Sequence, residues 1–277
     1  MNTLKEAIHA TETVEWAGSA WGKTAARYAW DLQVFTSDDY NNVLLADIST
    51  QNLDRWLAEY PNASPATQNR RLAAISKCYT VAKQRGYDGR VPYFPRKKEP
   101  PHRVRWVSRQ EEFRMCNLLR LTSNEMPAIF ILLVDTGMRY GELKRLRVTD
   151  LNWDTGMLTI REAKGGKPRS VPMTERVKNI MNVVNDPKPL HSRNLAAFPR
   201  AWKKARSAMG LRKDMAFVPH VLRHTYASRL VSAGVPLKVI QELLGHADIK
   251  MTLRYAHLAP SNFDVALNAL EDFNNGD

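Results

Sequence analysis

The residues best suited to chemistry lie in HVLRHTYASRLVSAGVPLKVIQELLGHADIKMTLRY, residues 220–255, which brings His220, Arg223, His246 and Tyr255 into one short stretch. A phosphodiester under attack gathers negative charge on its non-bridging oxygens, and a guanidinium meets that charge with a planar, permanently protonated fork. Imidazoles accept or donate protons near neutral pH, and a phenol becomes a nucleophile once its proton, with a pKa of about 10, is removed. Arg223 fits the first role, His220 and His246 the second, and Tyr255 the third. Taken singly, such residues are more often salt-bridged arginines or core tyrosines; only together do they suggest a site that holds and attacks a phosphate.

The composition points to a polyanionic partner. Lys and Arg number 41 against 28 Asp and Glu, a formal net charge of +13, with a pI near 9.8, although basicity by itself does not specify nucleic acid. A length of 277 residues accommodates two modest domains. Two cysteines, Cys78 and Cys116, exclude a disulfide-dense scaffold and suit a reducing compartment. The longest apolar run, near Ala128 to Val134, is far shorter than the roughly 20 residues of a membrane span, and the N-terminus lacks a signal-peptide pattern. A cytoplasmic protein without a membrane partner is expected.

The elements that must position these residues fall into two parts. Pro92, Pro95, Pro100 and Pro101 interrupt periodic structure, so residues 91–106 read as a linker between a helical domain at 1–90 and a second domain at 107–277. This linker carries Arg96, Lys97, Lys98, Arg103 and Arg105 among Tyr93, Phe94 and Trp106. It reads either as a strap along a phosphate backbone or as a solvated connection. The first domain shows helical spacing over Thr24 to Phe35, a helix beginning at Ser49-Thr50, and another beginning at Ser64-Pro65 and stopping at Gly86. That last helix offers Arg70, Arg71, Lys77, Lys83 and Arg85 as phosphate ligands, with Leu72, Ile75 and Tyr79 facing the core. The 1–90 domain is therefore expected to grip DNA.

In the second domain Ser108 and Glu111 have capping-box spacing at the head of a helix to Arg120. A buried helix ends at Asp135-Thr136-Gly137, and another opens around Arg139 to Leu146. MLTIRE and PRSVPM read as strands of a hairpin whose turn is AKGGK. Helices are expected over Thr174 to Val184 and Asn194 to Met209, then from His220 to a stop at Gly234, with Pro236 in the first turn of the next. The tail spaces Phe263, Leu267, Leu270 and Phe273 on one helical face, which either docks on a neighbouring subunit or folds back on its own domain.

Four motifs in this order resemble the tyrosine recombinases: TGMRYGEL at 136–143, AKGGKPRSVPM at 163–173, HVLRHTYAS at 220–228 and LLGHADIKMTLRYAHL at 243–258. The resemblance implies a mainly α fold with a small antiparallel β-hairpin or sheet, in a two-domain architecture of helical core-binding domain and DNA breaking-rejoining catalytic domain. It implies that Arg139 and Arg223 clamp the scissile phosphate and that Lys164, rather than Lys167, protonates the departing 5′ oxygen. His220 would accept a proton or bind phosphate, His246 would donate to a non-bridging oxygen, and Tyr255 would attack. Glu142 would support the site from behind, His224 would order its helix by hydrogen bonding, and His257 would either back the site residues or face solvent.

The implied activity is site-specific recombination through a 3′-phosphotyrosyl intermediate and a four-way junction, independent of metal and ATP. No metal or other cofactor is expected: His220 and His224 have i,i+4 spacing but no HExxH pattern, and no nucleotide-binding loop is present. The implied partners are double-stranded recombination sites, other copies of the chain (a tetramer on DNA, a monomer when free) and accessory bending or directionality factors. A DNA-binding accessory protein without chemistry and a type IB topoisomerase are the alternatives. The roughly 20 residues before the first recognised helix are too few for an arm-binding domain, which favours a simple phage integrase or a resolvase-like recombinase.

Overall fold

The computed structural model describes residues 1–19, 21–37, 43–100, 104–161, 168–182, 192–260 and 263–275. Arg103, Lys164 and Lys167 lie outside them. The chain divides into two compact units, Met1–Pro101 and His102–Asp277.

The first unit is helical. Helix α1, Leu4–Thr11, runs into a π-helical turn, Glu12–Trp16. It was not anticipated from sequence, yet Thr3 and Glu6 form a reciprocal capping box at its start. Helices α2 (Gly22–Thr36), α3 (Thr50–Ala58) and α4 (Pro65–Gln84) follow, α3 and α4 being capped by Ser49 and Ser64. Leu4 and Ile8 pack with Leu32, Leu53, Trp56, Leu72, Ile75 and Tyr79 in one core.

Two of the expected phosphate ligands on α4 are engaged in this fold instead. Arg71 lies next to the buried Leu72 face, donates to Asp31 Oδ2 at 2.6 Å and covers the Tyr60 ring at 3.4 Å, leaving 11% of its side chain exposed. The rings of Tyr28, Trp56 and Tyr60 surround that guanidinium, with Asp31 as its carboxylate partner. Lys77 pairs with Glu15 at 2.9 Å. Arg70, Lys83 and Arg85 remain exposed.

The proline-rich connection is anchored rather than loose over much of its length. Asn69 exchanges two 2.8 Å hydrogen bonds with the backbone of Lys97, and Phe94 packs edge-on against Tyr79. Arg96, Lys97 and Lys98 point outward. Arg105, expected on DNA, is instead committed within the second unit, where it bonds Asp214 at 2.9 Å and pairs with Glu111. Those carboxylates sit at the start of the next helix and in the loop before residue 217, within reach of an arginine entering this unit.

In the second unit α5 (Arg109–Arg120) begins with the Ser108–Glu111 capping box. Helix α6 (Met126–Thr136) is nearly all apolar, and its Phe130 stacks on Trp202, which in turn stacks on Phe217 at 5.2 Å. A single helical turn, α7 (Tyr140–Leu143), replaces the longer helix expected to Leu146. The anticipated hairpin, β2 (Met157–Ile160) and β3 (Arg169–Pro172), gains a short third strand, β1 (Leu151–Asn152), in antiparallel order β1-β2-β3. Then come α8 (Glu175–Asn182), α9 (Ser192–Ala208), α10 (Val221–Ser232), α11 (Leu237–Leu244), α12 (Lys250–Leu253) and α13 (Phe263–Asn275). Pro236 caps α11 instead of lying in its first turn. The fold is mainly α with a small antiparallel sheet. Among the described residues no helix is long and apolar enough to cross a membrane.

A buried carboxylate ties these helices together. Glu112 on α5, 6% exposed, accepts from Arg176 on α8 at 2.6 Å and from Arg229 on α10. Arg176 also pairs with Asp135 at the end of α6, which accepts a 2.8 Å bond from Thr174. Burial raises the Glu112 carboxyl pKa, but the two arginines outweigh it and the net shift is downward. Replacing Glu112 by alanine strands Arg229 and half of the Arg176 fork. Because Arg176 remains partly hydrated, the expected loss is about 2 kcal/mol, less than a fully buried pair would cost. Urea denaturation, comparing the midpoint at constant slope, measures it.

Candidate functional site

Arg223 stands one turn into α10 and is 3% exposed. It donates through Nη1 to the carbonyl of Gly137 at 2.8 Å and through Nη2 to the carbonyl of Leu244. The ends of α6 and α11 therefore fix its plane from two sides. Gly137 has φ of 63°, and a Cβ there would fall 2.4 Å from the Tyr226 ring, so the turn that presents this carbonyl requires glycine. Burial, then the charges of Arg139 and Arg169, push Arg223 down to about 9, so it stays protonated at neutral pH.

Arg139 precedes α7 and bonds Glu142 twice, from its backbone N–H to Oε2 and from Nη1 to Oε1, both at 2.8 Å. Glu142 is 5% exposed. Its other partner is Arg169 on β3, which donates through Nη2 to Oε2 at 2.7 Å and through Nε to the Leu243 carbonyl at 2.9 Å. Burial lifts the Glu142 carboxyl, but Arg169 first and then Arg139 bring it below the ordinary carboxylate range.

His246 follows α11 and its Nδ1 meets the Thr252 hydroxyl at 2.9 Å, both residues being buried. Burial, reinforced by Arg223, Arg139, Arg254 and Arg169, pushes His246 down to about 3, so its ring is neutral. When the Thr252 hydroxyl donates to Nδ1, the ring proton of neutral His246 resides on Nε2. Desolvation by its neighbours, followed by Arg223, Arg139 and Arg254, also lowers the pKa of His220.

Tyr255 is 2% exposed, and its hydroxyl lies 2.7 Å from His224 Nδ1. Burial raises its pKa, while Arg254 and then Arg223 oppose the rise. The His224 ring meets His220 edge-on at 5.0 Å, forming a file from His220 through His224 to Tyr255. His224, expected only to order its helix, thus touches the phenol directly. His257 is exposed.

Arg139, Glu142, His220, His224, Arg223, His246 and Tyr255 therefore belong to one neighbourhood. The sequence reading missed Arg169, Thr252 and Arg254. Arg169 shares strand parity with the buried Val171, and a charged residue on the inward face of a strand was the available signal. Thr252 and Arg254 gave none beyond proximity to Tyr255. The cluster is a set of cations around one carboxylate, beside a phenol, and so suits an anionic ligand with an electrophilic centre. Among the described residues no group of three His, Cys, Asp or Glu is placed to hold a metal ion.

These pKa shifts give an acid signature. In the unfolded chain histidine titrates near 6.5, whereas folded His246 titrates at about 3, so between those values the unfolded chain binds the extra proton. This stability contribution is complete above about pH 6.5 and is lost as pH falls toward 3. Substituting His246 by glutamine is expected to flatten the acid limb of stability against pH by up to about 1.4 kcal/mol per pH unit. Denaturant titrations of both proteins across that range check it, and the His246 ring carbons in NMR should stay in their neutral position to near pH 4.

The Phage integrase family matches residues 107–262. Tyrosine recombinase XerA of Pyrococcus furiosus is 32% identical over 162 residues, 54% of this chain and 57% of that protein's length. XerA of Saccharolobus solfataricus is 25% identical over 79% of this chain and 78% of its own length, and XerD of Brucella abortus is 29% identical over 70% and 72%. In structure the chain resembles the Tn1549 transposon integrase in complex with a circular intermediate DNA, with a TM-score of 0.74 at 18% identity over 98% of this chain and 99% of that one. A lambda integrase dimer bound to a COC′ core site gives 0.71 at 18% identity over 92% and 77%. These last two likenesses speak for the fold. With a family match over more than half of its length, the chain belongs to the phage integrase family of tyrosine recombinases.

Proposed function

We propose that the protein is a site-specific DNA recombinase, an integrase, that cuts and rejoins DNA through a 3′-phosphotyrosyl bond at Tyr255. The observation that carries this reading is the Tyr255 hydroxyl held on His224 at 2.7 Å beside the buried, carbonyl-locked Arg223. In the cleavage step Tyr255 Oη bonds to the scissile phosphorus, the bond to the 5′ oxygen breaks, and that oxygen takes a proton from Lys164. The phenol proton passes to His224, with His220 next in the file. A neutral His246 donates from Nε2 to a non-bridging oxygen, and Arg139 and Arg223 take up the rest of the developing charge. Each such donor contributes about 3 kcal/mol to the transition state. The phosphotyrosine conserves the bond free energy, so a partner strand's 5′ hydroxyl reverses the step without ATP.

Because Tyr255 is buried in the free protein, seating the scissile phosphate requires its segment to shift when DNA binds. Arg70, Lys83, Arg85, Arg96, Lys97 and Lys98 supply exposed positive charge for the DNA arms. The exposed Leu267, Leu270 and Phe273 on α13 favour docking on a neighbouring copy over folding back, consistent with a tetramer on DNA that is monomeric when free. Recombination at phage or host sites in the cytoplasm, with accessory bending or directionality factors, completes the reading. The intact Tyr255 set disfavours a silent accessory protein, and the helical first unit disfavours a topoisomerase.

A covalent trap tests this. Purified protein is incubated in chelator with nicked duplexes from its genetic neighbourhood. A denaturant-resistant protein–DNA adduct is expected with the wild type and none with Tyr255→Phe, and two-site joining is expected to exceed supercoil relaxation. DNA binding with no adduct on any fragment would sink the enzymatic reading.

A further inference from the structure

We infer that Arg169 is a positioning residue of the reaction proposed above: it holds the Glu142 carboxylate by both oxygens and thereby lets Arg139 leave that carboxylate for a phosphate. The inference rests on the recombinase reading, because only a phosphate ligand gives Arg139 somewhere to go.

The geometry separates the two arginines. Each contacts both oxygens of Glu142, Arg169 through Nη2 to Oε2 at 2.7 Å and Nη1 to Oε1 at 3.3 Å. Arg139 reaches Oε1 with its side chain, whereas its bond to Oε2 comes from the backbone. The Arg169 side chain is 6% exposed and that of Arg139 is 28% exposed. Arg169 cannot move away, since its Nε is bonded to the Leu243 carbonyl and its Cδ would lie 2.9 Å from a Cβ at Gly245. Gly245 has φ of 63°, so the turn after α11 closes over the guanidinium at a position where glycine is required. Arg169 is thus built in, while Arg139 faces outward.

A carboxylate buried as deeply as Glu142 cannot be left without a cation at acceptable cost. If Arg139 were its only side-chain partner, gripping a phosphate would orphan Glu142, and the attraction between them would compete with DNA. With Arg169 in place both oxygens keep a guanidinium partner when the Arg139 side chain departs. The Arg139 backbone N–H stays on Oε2, so the turn keeps its shape. The same residue joins strand β3 to the end of α11.

The charged groups facing Glu142 are Arg139 from its own turn, Arg169 from β3 and Arg223 from α10, with Lys144, Arg145, Arg147, Asp150 and Arg161 lining the adjoining cavity. Removing Arg169 therefore takes away the strongest influence holding the carboxyl below its ordinary range, while burial continues to raise it. In Arg169→Gln the carboxyl takes up a proton at higher pH than in the wild type, and protonation frees Arg139.

The test uses the full chain as wild type, Arg169→Gln, Arg169→Lys and the double variant Glu142→Gln/Arg169→Gln, with three readouts. These are affinity for a nicked duplex, the single-turnover rate of adduct formation across about pH 5.5 to 8.5, and the Glu142 side-chain carboxyl titration by NMR. Arg169→Gln is expected to form adduct about 100-fold more slowly at neutral pH, with DNA affinity changed far less, and to regain rate as pH falls. Its Glu142 is expected to titrate above the wild-type position. The double variant, which removes the buried charge with its partner, should recover about 10-fold of the lost rate. Arg169→Lys, a point charge that serves one oxygen, should fall between. A Glu142 titration unchanged by Arg169→Gln, or a loss of rate that the double variant does not relieve, overturns the inference. If the wild type itself forms no adduct, the recombinase reading fails instead, and the carboxyl titration still decides whether Arg169 holds Glu142.

Discussion

Like charges brought together in a partly dry site repel, and the second unit is organised around that constraint. Arg139, Arg169, Arg223 and Arg254 all act on His246, Arg139 and Arg169 act on Arg223, and Glu142 is the carboxylate that Arg139 and Arg169 share. Repulsion among them is offset partly by Glu142 and partly by neutral dipoles, since Arg223 is received by two backbone carbonyls instead of a second carboxylate. Carbonyl oxygens orient a guanidinium without cancelling its charge. The site therefore keeps a net positive field for an incoming anion, at the expense of stability in its absence.

This arrangement depends on helix ends. Gly137 after α6 and Gly245 after α11 turn the chain in the left-handed region, and each faces a packed side chain, Tyr226 in one case and Arg169 in the other. The carbonyls that hold Arg223 emerge from these same turns. Behind them, the Glu112 network clamps α5, α8 and α10, and the stacked Phe130, Trp202 and Phe217 rings hold α6 against α9. Rigid packing at the back lets the front carry unbalanced charge. The hydrogen bond between Tyr255 and His224 joins α10 to the segment after α12.

His220, which precedes α10 at its N-cap, and His224 in its first turn occupy different surroundings. His220 stands at the mouth of the site, while His224 one turn later meets the phenol. His246 is held neutral by burial and surrounding cations and is oriented by Thr252.

Much of this was legible from residues alone. Helical periodicity located α2, α3, α4 and α10, capping residues marked the starts of α3, α4 and α5, and the Gly-Gly turn identified the hairpin, because these signals are local and arise from backbone geometry. Residue chemistry singled out His220, Arg223, His246 and Tyr255, since phosphate chemistry admits few side chains, and the resemblance to the tyrosine recombinases added Arg139 and Glu142. Helix α1 and strand β1 escaped because each is short and takes its order from its neighbours. Partnerships escaped more completely. Whether Arg71 faces DNA or Asp31, whether Arg105 lies on a backbone or on Glu111, and whether His224 merely steadies a helix or touches Tyr255 are decided between residues 6 to 40 positions apart. By itself, the sequence determined which functional groups the protein possesses and which stretches form helices; the tertiary structure decided which charges are paired and which remain available, because pairing depends on distance and burial, and neither is a property of the local chain.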